Sequence, residues 1–359
     1  MKKFLLKRLW YGLLVLFGVV VVVFFLFNVL PGDPARMMLG QRADIASVKA
    51  INKDLGLDKP LLIQFVNYLN DLSPLSAHNN IDRESYWFLD PEKYGKNFTL
   101  IKVGKTSVVL KAPYLRRSYQ SKRNVSEILA EGFVNTLILA VVAMIFAMIT
   151  GIAIGVVCAL YKNSWIDRIS LVFSVIGMSL PSFFVAILNA WIFAFLLGRF
   201  TGLNMSGSLL AVDDFGNGSF IELKNLILPA FTLGVRPLAV IVELTRNSLL
   251  EVMSQDYIRT ARAKGLSRKR IILKHALKNA LNPVVTAISG WLASLLAGAV
   301  FVEFIFDWKG IGLIIVNALD KYDFPVVMGA VLFISIILVV INFLVDIVYG
   351  LLDPRVRME

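Results

Sequence analysis

The chain has 359 residues, of which 57% are hydrophobic and only 17% charged, and its mean hydropathy is +0.71. Soluble domains average about 25% charged residues, so the composition excludes an ordinary soluble protein and indicates a polytopic membrane protein. The formal net charge of +12 does not indicate nucleic-acid binding, because the cations lie mainly in loops between apolar runs. The single cysteine, Cys158, lies in an apolar run and has no partner for an internal disulfide.

Six apolar runs have the length of about 20 residues that a membrane crossing needs. The predicted transmembrane helices are 10–30 (TM1), 133–160 (TM2), 169–197 (TM3), 226–250 (TM4), 283–302 (TM5) and 326–350 (TM6). The predicted fold is therefore an all-α membrane protein with six transmembrane helices.

The first run has a rival interpretation as a secretory signal peptide, because four cations precede it within residues 1–9. A signal h-region has only about 7–15 apolar residues. Here 21 residues, 10–30, run unbroken to a PGDP turn at 31–34. We expect this helix to remain in the protein as a membrane anchor.

The distribution of Lys and Arg predicts the orientation of the chain, because short cytoplasmic loops retain positive charge. The cation-rich segments are the N-terminus at 1–9, the TM2–TM3 connection at 161–168 and the TM4–TM5 connection at 251–282. The short connections 198–225 and 303–325 carry acidic residues as well. Both termini, 1–9 and 351–359, are therefore predicted to be cytoplasmic.

The long segment 31–132 is predicted to be extracytoplasmic, because loops beyond about 60 residues are translocated largely regardless of charge. Within it, LDKPLLIQFVNYLNDL at 57–72 predicts an amphipathic helix that starts at a proline and lies against the membrane face. NFTLIKVGKTSVVLKAPYL at 97–115 alternates and predicts a hairpin that turns at Gly104. Its GKT resembles the end of a phosphate-binding loop, but Thr99 stands where that motif needs glycine, so no ATP site is predicted.

The segment DYIRTARAKGLSRKRI at 256–271 is a charged, glycine-containing stretch on the predicted cytoplasmic side. It predicts a short helix to Lys264, a left-handed C-terminal cap at Gly265 and an N-cap at Ser267 for a second helix that runs toward Asn282. Its arginines have the chemistry to contact carboxylates or carbonyls of a partner protein. Contact with anionic lipid is the alternative, at about 1 kcal/mol per cation, and the residues alone leave both open.

YIRTARAKGLSRKRIILKHALKNALNPVV at 257–285 resembles the cytoplasmic E-A-A loop of ABC importer permeases, in the form carried by the oligopeptide, dipeptide and nickel permease family. Further motifs extend the resemblance along the chain: LPGDPA at 30–35, GMSLPSFF at 177–184, RNSLLEV at 246–252, GIG at 310–312 and VDIVYGLLDPRVR at 345–357. The chain looks closest to the B-type subunit of dipeptide and oligopeptide permeases. It departs from the pattern at Lys309, where a proline commonly precedes the Gly-x-Gly turn, and in an enlarged outer loop at 76–113.

The resemblance implies a type I importer permease fold in a bacterial cytoplasmic membrane. It implies as partners a second homologous permease subunit, two ATP-binding subunits, an extracytoplasmic substrate-binding protein and membrane lipid, with no nucleic acid. ATP and Mg²⁺ would lie on the partner subunits, which leaves this chain without a catalytic residue or a cofactor. The implied substrates are short peptides, with nickel chelates, heme or antimicrobial peptides as alternatives.

In such an importer the E-A-A elbow couples the permease to the ATPases, whose closure moves it as a rigid lever between inward and outward access. By resemblance, eight residues are candidates for this coupling site: Tyr257, Arg259, Thr260, Ala261, Arg262, Ala263, Lys264 and Gly265.

Candidate pathway residues lie in TM3 and TM4. Arg236 falls near the middle of TM4, where a charge is costly unless it faces protein or water, and Glu243 follows on the same helix face. Arg236 has two interpretations, contact with a peptide carboxylate or pairing with Glu243 or a neighbouring subunit, and pairing is favoured because intramembrane charges usually pair. Pro181, beside Ser182, and Pro237 are predicted to bend their helices toward a cavity.

Two other classes of function are weaker. A stand-alone channel or receptor would act without an ATPase, so association with an ATPase separates it from an importer. An intramembrane enzyme needs a catalytic constellation, and the sequence contains neither H-E-x-x-H nor G-x-S-x-G. The two histidines, His78 and His275, are too far apart for metal-ligand spacing, so we expect no metal site.

Overall fold

The computed structural model describes residues 2–29, 58–82, 85–212 and 218–352. The chain forms two compact units. One combines Met1–Glu131 with Ile314–Val339, and the other combines Gly132–Leu313 with Val340–Glu359. The LPGDPA motif at 30–35 and the end of the C-terminal motif lie outside the described residues.

Helices dominate the described residues. In chain order they are α1 (Lys2–Val29), α2 (Leu61–Leu72), α3 (Pro91–Tyr94), α4 (Val125–Leu160), α5 (Trp165–Ser179), α6 (Ser182–Asn189), α7 (Gly198–Thr201), α8 (Lys224–Met253), α9 (Asp256–Ala263), α10 (Arg268–Arg270), α11 (Leu277–Ala280), α12 (Asn282–Gly298), α13 (Val300–Ile305), α14 (Ile311–Asp320) and α15 (Phe324–Leu352). Two π-helical stretches, Ala190–Leu196 and Ile271–Ala276, continue α6 and α10. The strands are β1 (Leu75–Asn79), β2 (Asn97–Val103), β3 (Thr106–Lys111), β4 (Leu210–Val212) and β5 (Ser219–Ile221).

Four of the described helices are long and apolar enough to cross a membrane, fewer than the six predicted. They include the segments Leu6–Phe27, Val125–Leu160, Lys224–Met253 and Phe324–Ile347. A bent pair, Trp165–Ser179 with Ser182–Leu196, gives a fifth crossing if it is counted as one span. The predicted TM5 is divided between α12 and the short α13, with a break at Ala299. The number of crossings therefore stands at four or five on helix length and composition.

The predicted TM3, 169–197, is divided between two helices. The helix breaks between α5 and α6, which meet at 112°. Pro181 lacks a backbone N–H and disfavours helical geometry in the residue before it, and Leu180 is extended with φ −77° and ψ 137°. The predicted bend at Pro181 is thus confirmed. Pro237 lies inside α8, which runs from Lys224 to Met253 without a break.

The all-α prediction was wrong for the segment between α1 and α4. It contains a three-stranded antiparallel sheet in the order β1-β3-β2. The predicted hairpin is confirmed as β2 and β3, and Gly104 at the turn has φ +57°, a conformation that favours glycine. A second, two-stranded sheet joins β4 and β5.

The predicted amphipathic helix is confirmed as α2, which begins after Pro60. Tyr68 and Phe65 of α2 pack on Phe24 of α1, with ring centroids 5.5 and 5.0 Å apart. Asp71, on the same helix, is fully buried and accepts hydrogen bonds from the Tyr86 and Tyr94 hydroxyls at 2.9 Å. Aromatic packing and this buried carboxylate attach the sheet-containing segment to α1 and α2.

The turn before α15 is also tied to this segment. Buried Asp323 accepts hydrogen bonds from the Ser118 hydroxyl at 2.5 Å and from the Tyr119 backbone N–H at 2.9 Å. In addition, Gln120 donates from its side chain to the Lys321 carbonyl at 3.1 Å. The chain at 118–120 is therefore fixed to the start of the last helix.

In the second unit, α8 packs closely against α4 and α5. A Cβ at Gly155 would lie 2.7 Å from the Val242 carbonyl oxygen, and one at Gly151 would lie 2.8 Å from Ile241. Two glycines four residues apart allow this close approach, as in other membrane helix pairs. α8 is thereby held as a rigid element.

The Gly-x-Gly turn at 310–312 surrounds a buried carboxylate. Glu303 of α13 is fully buried and accepts hydrogen bonds from the Thr136 hydroxyl at 2.7 Å and the Gly312 N–H at 2.6 Å. A Cβ at Gly310 would meet this carboxylate, and one at Gly312 would meet the Val300 backbone. Glycine is required at both positions because the Glu303 carboxylate and the Val300 backbone lie too close for a Cβ. The turn keeps this packing with Lys309 at the position before Gly310.

Candidate functional site

The segment after α8 forms the predicted elbow. Leu266 donates its N–H to the Ala261 carbonyl at 3.3 Å, and Gly265 donates to the Arg262 carbonyl at 2.9 Å. Gly265 has φ +73°. These two bonds and the left-handed glycine make a Schellman motif, which satisfies the last carbonyls of α9. The predicted left-handed cap is confirmed.

The second half of the elbow begins at Ser267, as predicted. The Ser267 hydroxyl accepts from the Arg270 N–H at 3.4 Å, which satisfies one of the free donors at a helix start. From Arg268 the chain stays helical to Ala280 through α10, the π-helical stretch and α11. The π geometry of residues 271–276 was not predicted from the sequence.

An apolar cluster holds both halves of the elbow on the ends of α4 and α8. Its buried members are Ala159, Leu249, Ile258, Ala261, Ile271, Ala276 and Ala280. Leu266, directly after the turn, packs against the same cluster. Because α9 and the following helix share one core with α8, a force on the elbow is transmitted to α8 through close packing.

Most candidate coupling residues lie on the opposite, exposed side of the elbow. Those exposed are Tyr257, Arg259, Thr260, Arg262, Ala263, Lys264 and Gly265. Ala261 differs: it is buried in the elbow's own cluster and supports the elbow from within. The Tyr257 hydroxyl accepts from the Asn279 side chain at 2.8 Å, which joins the two halves across the turn.

The exposed side of the elbow is basic. Asp256 carries the only acidic side chain from 256 to 282, and it pairs with Arg259 at 3.2 Å on the surface. The remaining charged side chains of this range are cations. This side therefore suits a partner surface that offers carboxylates or carbonyl groups.

An ion pair that the sequence did not predict lies beside the elbow. Asp167, near the start of α5, binds the guanidinium of Arg246 on α8 through both carboxylate oxygens, at 2.5 and 2.7 Å. Asp167 also accepts from the Asn163 N–H at 2.9 Å. Ser164 followed three residues later by Asp167 indicates an N-cap at the start of α5. This local signal does not indicate that Asp167 binds Arg246, 79 residues further along the chain.

One pathway candidate, Arg236, contacts the chain at the break in TM3. Arg236 of α8 is exposed and donates to the Met178 carbonyl at 3.3 Å. Met178 is in the last turn of α5, whose carbonyls lack partners within the helix and attract a cation. Pro181 is exposed, and Ser182 is half-buried at the start of α6. Arg236 is therefore placed at the C-terminal end of α5, directly before Pro181 and Ser182 in the chain.

Glu243 lies on the exposed side of α8, as Arg236 does. Within the described residues the two do not form an ion pair, and Arg236 bonds to the Met178 carbonyl instead. The exposed side of α8 thus presents a cation and an anion that are seven residues apart.

The chain matches two related protein families. Residues 151–358 match the family described as binding-protein-dependent transport system inner membrane component. Residues 1–83 match the N-terminal family of the same transport system membrane components. The first match contains α8, the elbow and the broken TM3 helix.

Similar proteins of known name cover the whole chain. The dipeptide transport system permease protein DppB of Alkalihalophilus pseudofirmus is 34% identical, over 99% of this chain and 100% of that protein. The glutathione transport system permease protein GsiC of Salmonella choleraesuis is 34% identical over 100% of both. The di/tripeptide transport system permease protein DppB of Pseudomonas aeruginosa is 35% identical over 100% of both.

A solved structure shares the fold. A chain of the inward-facing MetNI methionine ABC transporter superposes with a TM-score of 0.50 and 20% sequence identity. The match covers 64% of this chain and 97% of that chain. At this identity the likeness concerns the fold alone.

Proposed function

Because the chain belongs to the family of binding-protein-dependent transport system inner membrane components, we propose that it is the permease subunit of an ATP-driven importer of short peptides. The observation that supports this proposal best is the elbow at 256–280. Its buried side is fixed to α8 and α4, and its exposed side is basic. Such an arrangement suits docking of an ATPase and transmission of its motion.

Short peptides are the proposed substrates, because relatives over the full chain are named for dipeptides, di/tripeptides and glutathione. The exposed Arg236 at the TM3 break offers a cation to a peptide carboxylate, and Glu243 offers an anion to a peptide amine. Nickel chelates, heme and antimicrobial peptides are the alternative cargoes.

The proposed mechanism is alternating access driven by partner ATPases. ATP and Mg²⁺ bind to two partner subunits, whose closure pushes on the exposed residues of α9. Since Leu249 of α8 and Ile258 of α9 share one core, the push reaches α8 and the residues beside the TM3 break. This chain supplies binding and motion, and the partners supply hydrolysis.

The proposed topology has six crossings with both termini in the cytoplasm of a bacterium. It counts α5 with α6 as the third crossing and α12 with α13 as the fifth. A second homologous permease subunit completes the pathway. The segment 58–131 then lies outside the cytoplasm, where an extracytoplasmic binding protein delivers substrate to the permease.

Two measurements test the proposal. Tagged protein purified from its native membrane should bring an ATPase with it, whereas a channel or receptor would purify without one. Uptake of labelled peptides of two to five residues should be lost when the gene is deleted and should return with the gene. Copurification without peptide uptake, but with uptake of a nickel chelate or heme, would establish the importer and reject the peptide substrate.

A further inference from the structure

In the three-stranded sheet, β1 and β3 bury mainly polar side chains and expose apolar ones on the opposite face, and β2 is exposed along its whole length. The side chains that face the interior of the domain are Ser76, His78, Ser107, Val109 and Lys111, all buried. The alternate residues on the opposite face include Leu75, Phe98, Ile101, Val103 and Leu110, all exposed. A one-sided antiparallel sheet usually has the reverse pattern, with apolar residues inside and polar residues outside.

Strand pairing makes the exposed residues one continuous face. Leu110 pairs with Leu75 on one side and Phe98 on the other, and Val108 pairs with Ile101. The register shifts between Thr99 and Ile101, which keeps Ile101 and Val103 on the same face as Phe98. Phe98 is 67% exposed and Val103 is 71% exposed, so this apolar face lacks cover within the described residues.

The chain that carries this face has charge of one sign. From 95 to 126 the sequence contains eight Lys and Arg residues and no Asp or Glu. Exposed Lys96, Lys102 and Lys105 lie on and beside the hairpin that carries the face. Apolar side chains flanked by cations complement a surface that is apolar beneath a layer of anions.

The attachment to α1 places the sheet near a bilayer surface. α2 packs beside residues 19–27 of α1. The α1 side chains in this apolar cluster are Val19, Val20, Val23, Phe24 and Phe27. These nine residues cover about 12 Å of helix axis. The buried face of the sheet contacts α2, for example through Lys111 Nζ, which donates to the Asp71 carbonyl at 2.6 Å. The sheet is therefore a further layer beside the C-terminal part of the apolar segment Leu6–Phe27, and the end of a membrane-spanning segment lies near the lipid headgroups.

We propose that the exposed sheet face docks on the bilayer surface at the C-terminal end of α1, with Phe98, Ile101 and Val103 entering the lipid. Lys105, in the turn of the hairpin, then meets the headgroups of anionic phospholipids. In the proposed topology this surface is the outer leaflet. The docking depends on membrane insertion of α1 and is independent of the transported substrate.

The test places a bimane fluorophore on the intact complex at Val103→Cys, in a Cys158→Ala background, in nanodiscs. The matched control is Thr99→Cys, which lies on the same strand but pairs with Val109 of the opposite, buried face. Nanodiscs contain phosphatidylcholine alone or with phosphatidylglycerol, and brominated acyl chains serve as quencher. We expect bromolipid to quench the fluorophore at position 103 at least twofold more than at position 99, with the larger effect in phosphatidylglycerol.

A second variant tests the electrostatic part. Lys105→Gln should reduce the difference between the two lipids about fivefold, the preference that one cation near an anionic surface contributes, whereas Lys102→Gln, on the opposite face of the hairpin, should leave it unchanged. Equal quenching at positions 99 and 103 overturns the proposal. A second result would also overturn the proposal: the fluorophore at position 103 becomes shielded only when an extracytoplasmic binding protein or the second permease subunit is added. The face would then belong to a protein interface. The quenching test does not measure peptide uptake. The result of the quenching test therefore does not depend on the proposed substrate.

Discussion

Asp167 and Arg246 form a bidentate ion pair that joins the start of α5 to α8 just before the elbow. The Asp167 side chain is 2% exposed and that of Arg246 is 14% exposed. Arg246 is three residues before Leu249, which belongs to the elbow cluster. The pair therefore fixes the end of α8 that precedes the elbow to the neighbouring helix α5.

Replacing Asp167 with Ala should lower the stability of the protein and weaken coupling. Removing one partner of a buried pair leaves the other charge uncompensated, at a cost of about 3 kcal/mol or more. Thermal unfolding of the purified complex measures the first effect, and substrate-stimulated ATP hydrolysis the second. Asp256→Ala is the matched control, because its pair with Arg259 is on the surface and contributes little. Equal melting temperatures for the two variants would contradict the role given to Asp167.

Arg236→Ala should reduce peptide uptake while the complex assembles and its basal ATP hydrolysis continues. In the proposed function the exposed guanidinium contacts the substrate, so its removal weakens substrate binding. In the variant, the Met178 carbonyl that Arg236 binds is free to bond water. A loss of about tenfold is expected, since a hydrogen bond to a charged group contributes about 1.5–3 kcal/mol. Uptake is measured in vesicles with the peptide below saturation. Loss of assembly in Arg236→Ala, together with rescue by Arg236→Lys, would instead show a structural role for the cation at the end of α5.

The sheet-containing segment should lose stability as the pH falls from about 6.5 toward 4. Burial, and next the charge of Lys111, lower the pKa of His78 from 6.5 to about 4. Its ring lies between the Ser76 hydroxyl and the Trp87 carbonyl. The folded segment keeps His78 neutral, whereas in the unfolded segment this residue binds a proton below pH 6.5, so stability is complete above that pH and declines below it.

Proteolysis of the segment in the intact complex, at pH 7.5 and pH 5, measures this effect. We expect faster cleavage within 58–131 at pH 5. His78→Gln should remove the pH dependence, although it also changes the stability at neutral pH, and His275→Gln should keep it. Identical pH profiles for the native protein and His78→Gln would assign the acid sensitivity to another group.

The sequence predicted those elements whose signals are local. The hairpin around Gly104, the helix after Pro60 and the elbow with Gly265 and Ser267 each depend on turn and cap residues within a few positions. The sequence did not predict contacts between distant residues. Asp167 with Arg246, and Glu303 with Thr136, are separated by 79 and 167 residues, and no local pattern around either side chain indicates its partner.

The bend in TM3 was predicted from Pro181, which lacks a backbone N–H, but its size of 112° was not, because the hydropathy of 169–197 shows one apolar run. The inverted pattern of the sheet was not predicted for a different reason. In the sheet, alternation shows which residues share a face but not which face is buried. In β1 and β3, tertiary packing chose the polar side, because Asp71, Tyr94 and Lys111 form a hydrogen-bonded interior.

Gly265→Val should uncouple peptide transport from ATP hydrolysis or release the ATPases, while the membrane helices remain inserted. The backbone at Gly265 is left-handed, with φ +73°, and a Cβ there meets nothing within 4 Å. The effect is therefore backbone strain of about 1–2 kcal/mol, larger for a branched side chain, and not a clash. Such strain opens the Schellman turn and changes the angle between α9 and the helix after Ser267. Gly265→Asn should retain most of the activity, because Asn tolerates this conformation.

Gly104→Val is the matched control for this variant. Gly104 has a similar φ of +57° and open space around a Cβ, but it lies in the β2–β3 hairpin, away from the elbow in the sequence. It should carry the same strain without loss of ATPase binding. ATPase retention on the purified complex and peptide uptake in vesicles are measured together for both variants. Because the elbow is the proposed contact with the ATPases, full uptake and full ATPase retention in Gly265→Val would leave the segment as a basic loop at the membrane surface and refute its coupling role.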